Sequence, residues 1–298
     1  MQPSEPIPLR ETRRRGRLAR VIVERPGLVL GMLILGLIVL AAIFAPYLTP
    51  YDPYDQDIMS RRLPPVWNGW FLGDPQATMA HPFGTDNVGR DYWARLVYGA
   101  RISLIVGFVS VAISGFIGSV VGISAGYFGG KVDLAANFLI QTRLAVPVIL
   151  VALAAVAAFG GSLQMIILIA GLLLWDRAAV VTRTVTQQIA KRDFIKAAKA
   201  LGASDLRIIL TEILPNLAAP LAVILTVEMG QVILLEASLS FLGLGIPPPA
   251  PSWGLMLAEA KEDIFFAPWA IAIPGAALFL LVLSTSLVGD GLQKSRER

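Results

Sequence analysis

The chain has 298 residues, a net charge of +4, no cysteine, one histidine, and is 55% hydrophobic but only 15% charged; its mean hydropathy is +0.68. A soluble domain carries about 25% charged residues, so composition excludes a soluble enzyme of this size. The missing cysteines exclude a disulfide framework and thiolate chemistry, and a single histidine argues against a His-built metal centre. The basic balance would suit nucleic acid, but an Arg-rich stretch set directly before an apolar run fits a membrane better.

Residues 1–25 form a basic tail carrying Arg10, Arg13, Arg14, Arg15, Arg17, Arg20 and Arg25. A transmembrane helix needs about 20 mostly apolar residues. The first candidate span, residues 27–47, exceeds the apolar core of about 7–15 residues found in a cleaved signal. The segment 49–98 opens on a Pro-containing turn at Tyr51 to Asp55 and carries Asp57, Asp74, Asp86 and Asp91. Two readings stay open for it: a solvated loop lying on the membrane, which the charge pattern favours, and a docking surface for an extracytoplasmic partner. His81, followed by Pro82, reads as part of a turn, since metal sites need three or four converging ligands.

The second span covers residues 102–125. Ser110, Ser114, Gly118, Gly122 and Gly126 recur every fourth residue, one stripe on which another backbone can pack closely. That backbone could belong to this chain or to a second subunit. Residues 126–131 look like a phosphate-binding loop at a glance. Ala125 stands where the first glycine is needed, however, and Val132 where a hydroxyl residue is needed, so no nucleotide site is legible. The third span, 134–159, is interrupted by Pro147. The fourth, 163–181, has Asp176 and Arg177 near its end, expected to be an interfacial or mutually compensating pair without a transport role.

Residues 191–212 are polar yet helical in pattern. Phe194, Ala197, Ala198 and Leu201 recur at helical spacing, and Gly202 and Ala203 interrupt them. Ser204 is placed to cap a second short helix, with Asp205 in its first turn, that runs through Leu206, Ile209, Leu210 and Ile213. The expectation is two short helices about a glycine hinge, with Ala197 and Ala198 leaving a flat surface for another protein. An ordinary interfacial helix is the alternative. The fifth span, 213–235, contains Glu228 and Gln231, with Glu236 just beyond. Acids at mid-span usually face the protein interior; Glu228 and Gln231 could line a polar path, or Glu228 could be a buried structural acid. The sixth span covers 269–288. Basic residues concentrate in the first tail, in 183–207, around Lys131 and Arg143, and in the last residues, Lys294, Arg296 and Arg298; this bias puts both termini in the cytoplasm.

These motifs resemble the permease subunits of ATP-binding-cassette importers of the oligopeptide, dipeptide and nickel class, from about residue 26 to 291. Residues 194–205 resemble the family's EAA loop, continued by 213–216. The family's other motifs are matched by 81–86 with Gly89, Arg90 and Asp91, then by 99–103, 126–130, 240–245 and 251–254. Residues 45–53 look like the start of the "C" type of two paired permeases. The resemblance implies an all-α integral membrane protein with six transmembrane helices and the type I importer permease fold. It divides the chain into a tail 1–25, a first helix 26–48, an extracytoplasmic segment 49–98, a five-helix core 99–291 with coupling helices at 191–212, and a tail 292–298.

The resemblance further implies a multi-pass protein of the bacterial cytoplasmic membrane that contacts lipid but no nucleic acid. It would pair with a second permease, dock one or two ATPase subunits, and receive peptides or similar small solutes from a binding protein. The coupling residues would be Phe194, Lys196, Ala197, Ala198, Leu201, Gly202 and Asp205. Lys196 departs from the family, which often has Glu there. The chain itself would hold no cofactor and catalyse nothing; ATP and Mg would belong to the ATPases. An ATP-independent carrier or channel is the rival reading, and it fits the polar helix pair poorly. An intramembrane enzyme would need a converging nucleophile and base, which are not evident.

Overall fold

The structure, a computed structural model, describes residues 25–294. The expected basic tail before Arg25, and Arg296 and Arg298, lie outside the described residues. The described residues form an all-helical bundle. Five helices are long and apolar enough to cross a membrane, or six if one bent pair is counted as a single span.

Helix α1, Pro26–Ile43, is followed by the short α2, Ala45–Leu48. A 3-10 turn at Ile58–Ser60 and the short α3, Val66–Leu72, lie in the polar segment that follows. Helix α4, Tyr92–Phe128, has 37 residues and is capped by Asp91, whose carboxylate accepts the Ala94 amide at 2.6 Å. At about 1.5 Å per residue it is roughly 55 Å long, well beyond a hydrocarbon core of about 30 Å. Hydropathy alone shows the apolar middle, 102–125, and misses the ends. At its far end Gly129 and Gly130 adopt positive φ and turn the chain into α5, Gly130–Ala145.

The third span is broken, as Pro147 foretold. Val146 is extended, as a residue before proline prefers, and α6, Val148–Phe159, leaves α5 at 83°. The fourth is broken too: α7, Leu163–Leu173, gives way to α8, Asp176–Ala190, which runs well past the expected end at 181. Helix α9, Asp193–Ala200, is short as expected. The second short helix is not a separate element. Helix α10, Asp205–Ile208, passes through a π-helical turn, Ile209–Ile213, into α11, Leu214–Phe241, making one candidate span from Asp205 to Phe241. The wide turn sits where Pro215 has no N–H to give back to Thr211, and the helix continues through it without stopping. Helix α12, Trp253–Ala260, and α13, Pro268–Lys294, complete the fold.

Helices α4, α7, α11, α12 and α13 enclose the larger hydrophobic cluster, with Val106, Ile166, Val232, Ile233, Met256 and Leu281 at its centre. Against α8 the contact is backbone to backbone. Gly118 faces the Trp175 carbonyl and Ala178, Gly122 faces Thr182, and Gly126 faces the Arg183 carbonyl and Thr186. The Thr182 hydroxyl donates across the seam to the Gly118 carbonyl at 3.1 Å. The small-residue stripe therefore packs inside this chain.

A Cβ at Gly118 would lie 2.6 Å from the Ala178 Cβ, whereas nothing stands within 4 Å of one at Gly36. G118L is expected to lower the stability of the purified protein by about 1–3 kcal/mol, read as a lower melting temperature in detergent, while G36L leaves it within about 0.5 kcal/mol of wild type.

Candidate functional site

The loop at 193–213 is built on a small core of its own. Ile195, Ile208, Ile213 and Leu217 bury their side chains against Ile123 and Tyr127 of α4 and Ile189 of α8. Ile195, 1% exposed, is the anchor of α9. Helix α9 ends in a Schellman turn: the Ala203 amide donates to the Ala198 carbonyl at 3.1 Å and the Gly202 amide to Lys199 at 3.0 Å. That turn needs a left-handed residue, and Gly202 supplies it at φ +80°. Ser204 then caps α10, its hydroxyl accepting the Arg207 amide at 3.4 Å.

With Ile195 turned inward, the other side of the loop is left bare. Leu201 is 89% exposed, Leu206 66%, Leu210 52% and Phe194 42%. Ala197 and Gly202 are exposed beside them and Ala198 is half-buried. Such a group of apolar side chains on a polar segment marks a contact surface. Lys196 donates to Asp193 at 2.9 Å, both in solvent, a pair that contributes little to stability. Asp205 accepts the Tyr127 hydroxyl at 2.6 Å, and the Lys199 ammonium sits 4.5 Å from the Tyr127 ring centroid. The last turn of α4 thus grips both arms of the loop. Beside it, Arg183 of α8 holds Asp133 of α5 through Nε at 2.5 Å and Nη2 at 2.8 Å.

Residues 126–131 offer no open cradle. Gly126 is packed on α8, and Lys131 already lies in α5.

Glu228 and Gln231 part company. Gln231 is half-buried. Glu228 is 1% exposed; Oε1 accepts the Ala178 amide in the first turn of α8 at 3.1 Å, and Oε2 accepts the Ser114 hydroxyl at 3.3 Å. It caps α8 from across the bundle. Glu236 is buried likewise, with Oε1 accepting from Ser240 at 2.8 Å and Ser252 at 3.0 Å. Asp176 and Arg177 do not compensate each other: Asp176 turns inward and Arg177 outward. Arg143 lies at the break between α5 and α6, where it donates to the Leu173 carbonyl.

The segment 49–98 is not a solvated loop throughout. At the other end of α4, Asp86 is buried and accepts from Arg90 Nε at 2.6 Å and from Arg95. The same two arginines reach Glu259 of α12, at 3.0 Å and 2.7 Å. Arg62 pairs with Asp263 at 2.8 Å, and His81 Nδ1 lies 2.8 Å from Asp91. His81 does stand in a turn, its carbonyl accepting the Gly84 amide at 2.8 Å. Burial pushes the Asp86 carboxyl up, but the Arg95 and Arg90 guanidiniums outweigh it and hold the group below its ordinary value.

Known proteins share this architecture. Residues 118–298 match the family model described as binding-protein-dependent transport system inner membrane component, and residues 17–65 match the N-terminal transmembrane domain of oligopeptide transport permease C. A dipeptide transport system permease protein of Haemophilus influenzae is 37% identical over 91% of this chain and 90% of its own length. A di/tripeptide transport system permease protein of Pseudomonas aeruginosa is 38% identical over 88% of this chain and 85% of its own. Among solved structures, an inward-facing MetNI methionine ABC transporter matches with a TM-score of 0.55 at 19% identity, covering 67% of this chain and 95% of its own, a likeness of fold.

The Asp86 network yields a pH dependence. Its contribution is fully present above the unfolded-state pKa, about 3.9, and is lost as pH falls through the lower folded-state value. D86N is expected to destabilise the protein at neutral pH by about 3–5 kcal/mol, because it leaves the buried Arg90 and Arg95 sharing the single carboxylate of Glu259. It is also expected to flatten the fall in stability below about pH 4. Thermal melts of both proteins across pH 3–7 check this.

Proposed function

This chain belongs to the family of binding-protein-dependent transport system inner membrane components, and we propose that it is the "C"-type permease of an ATP-driven importer of di- or oligopeptides or related small solutes. The relatives named above carry peptides in their names and match nearly the whole chain, which supports this solute class. In this reading the chain sits in the bacterial cytoplasmic membrane with both termini and the 193–213 loop inside. A second permease completes the translocation path, and a binding protein delivers solute to the opposite face.

The observation that carries the coupling role is the bare apolar face of Phe194, Ala197, Leu201, Leu206 and Leu210, held from beneath by Ile195 and gripped by Tyr127. An ATPase subunit docks there, with Lys196, Ala198, Gly202 and Asp205 completing the contact. ATP and Mg stay on the ATPases, and this chain supplies the linkage: a displacement of the loop passes through Tyr127 into α4. Lys196 brings a positive charge to the contact, already turned toward Asp193.

Pull-down of the tagged chain from native membranes is expected to bring a second permease and one or two ATPases with it. G202V is expected to keep the complex assembled and hydrolysing ATP while uptake falls at least tenfold. The strain at φ +80°, about 1–2 kcal/mol, acts on the turn alone, since nothing stands within 4 Å of a new Cβ. A chain that purifies alone and moves solute without ATP would overturn the reading.

A further inference from the structure

The fourth apolar stretch leaves one charge without a direct partner. Helices α7 and α8 together are long and apolar enough to cross a membrane, from Leu163 to Ala190. At about 1.5 Å per residue, Arg177 lies roughly 20 Å along the chain from either end. Its neighbour Asp176 is buried, and Glu228 spends its carboxylate on Ala178 and Ser114. Arg177 itself is exposed, and its guanidinium has no hydrogen bond or ion pair among the described residues.

Arg177 does not stand alone. Arg177, Val180, Thr184 and Gln188 are all exposed and fall at i, i+3, i+7 and i+11, one stripe along α8. The residues α8 buries are Asp176, Ala178, Ala179, Thr182, Thr186 and Ile189. At the head of the stripe the helix is broken. The Leu173 carbonyl, which in an unbroken helix would accept the Arg177 amide, is taken by the Arg143 guanidinium. Arg143 also reaches the Val146 carbonyl at 3.3 Å, and its buried Nε has no partner. Arg143 is thus spent on the carbonyls of the helix breaks, while Arg177 faces outward and the neighbouring acid Asp176 faces the interior.

Hydrocarbon is a poor environment for such a face, since charges within a span are costly unless they meet water or a counter-charge. We propose that the Arg177, Val180, Thr184 and Gln188 stripe lines the water-filled path, and that Arg177 takes the carboxylate of the passing solute. A guanidinium presents two parallel N–H donors that fit a planar carboxylate. Exposure to water keeps the pair weak enough to release. The inference rests on the transport reading above and adds the solute group that the path recognises.

The whole transporter reconstituted in liposomes provides the test. Uptake of a short peptide is compared with uptake of its C-terminal amide, in wild type, R177Q and R177K. R177Q is expected to slow the free acid about tenfold, as loss of one charge-assisted pair would, to leave the amide little changed, and to be rescued only in part by R177K, which restores the charge but not the paired donors. Because the chain has no cysteine, R177C, V180C and T184C also report access directly. During turnover each is expected to react with a charged, membrane-impermeant thiol reagent. Equal losses for acid and amide, or no loss, overturn the carboxylate role. Unreactive cysteines at all three positions overturn the path itself and place the stripe against the second permease or lipid. If the Arg177 variants do not assemble, V180C and T184C decide alone. Should wild type take up neither peptide, the peptide reading falls, and the labelling still decides whether the stripe lines a path.

Discussion

The close approach of α4 and α8 is the constraint from which the rest follows. Gly118, Gly122 and Gly126 let the α8 backbone sit directly on α4. In lipid such contacts replace the hydrophobic drive that water would provide. The helices behave as one body about as long as α4, roughly 55 Å. Glu228 tightens the same joint from α11 by capping the start of α8.

One body with two furnished ends is a suitable transmitter. At one end Ile195, Ile208 and Tyr127 fasten a loop whose other face is bare. At the other, Asp86, Arg90, Arg95 and Glu259 tie the 49–98 segment to α12. Neither end is large, and each is joined to the shared body by buried groups. Motion imposed on the loop has no slack hinge between Asp205 and Phe128, because the hydrogen bond and the cation–π contact of Tyr127 bridge that gap. The proposed coupling role needs that property: a force applied at one side that arrives at the other.

Much of this was legible in the sequence. Runs of apolar residues located the spans, Pro147 marked a real break, and Gly202 with Ser204 marked the end of one helix and the cap of the next. The glycine stripe was visible, but whether it faced this chain or another needed coordinates, since packing partners leave no trace in periodicity. The length of α4 escaped because its ends are polar and aromatic. The fusion of α10 into α11 escaped because a π turn carries the helix past a proline that normally stops one. Ile195 escaped because the louder pattern of Phe194, Ala197 and Leu201 faces outward. Asp86 and Asp91 read as solvated charge because their partners, two arginines and one histidine, acquire meaning only once folded together.

The central claim is that the loop and α4 move as one. The most direct measurement bridges Y127C and D205C with a short bifunctional thiol reagent, in a chain that has no other cysteine, and then follows ATP-driven uptake by the reconstituted transporter. If the two positions stay together through the cycle, the bridged transporter keeps the uptake rate of the same double variant left unbridged. If bridging stops uptake and cleaving the bridge restores it, the loop must part from α4 to do its work, and the account is contradicted.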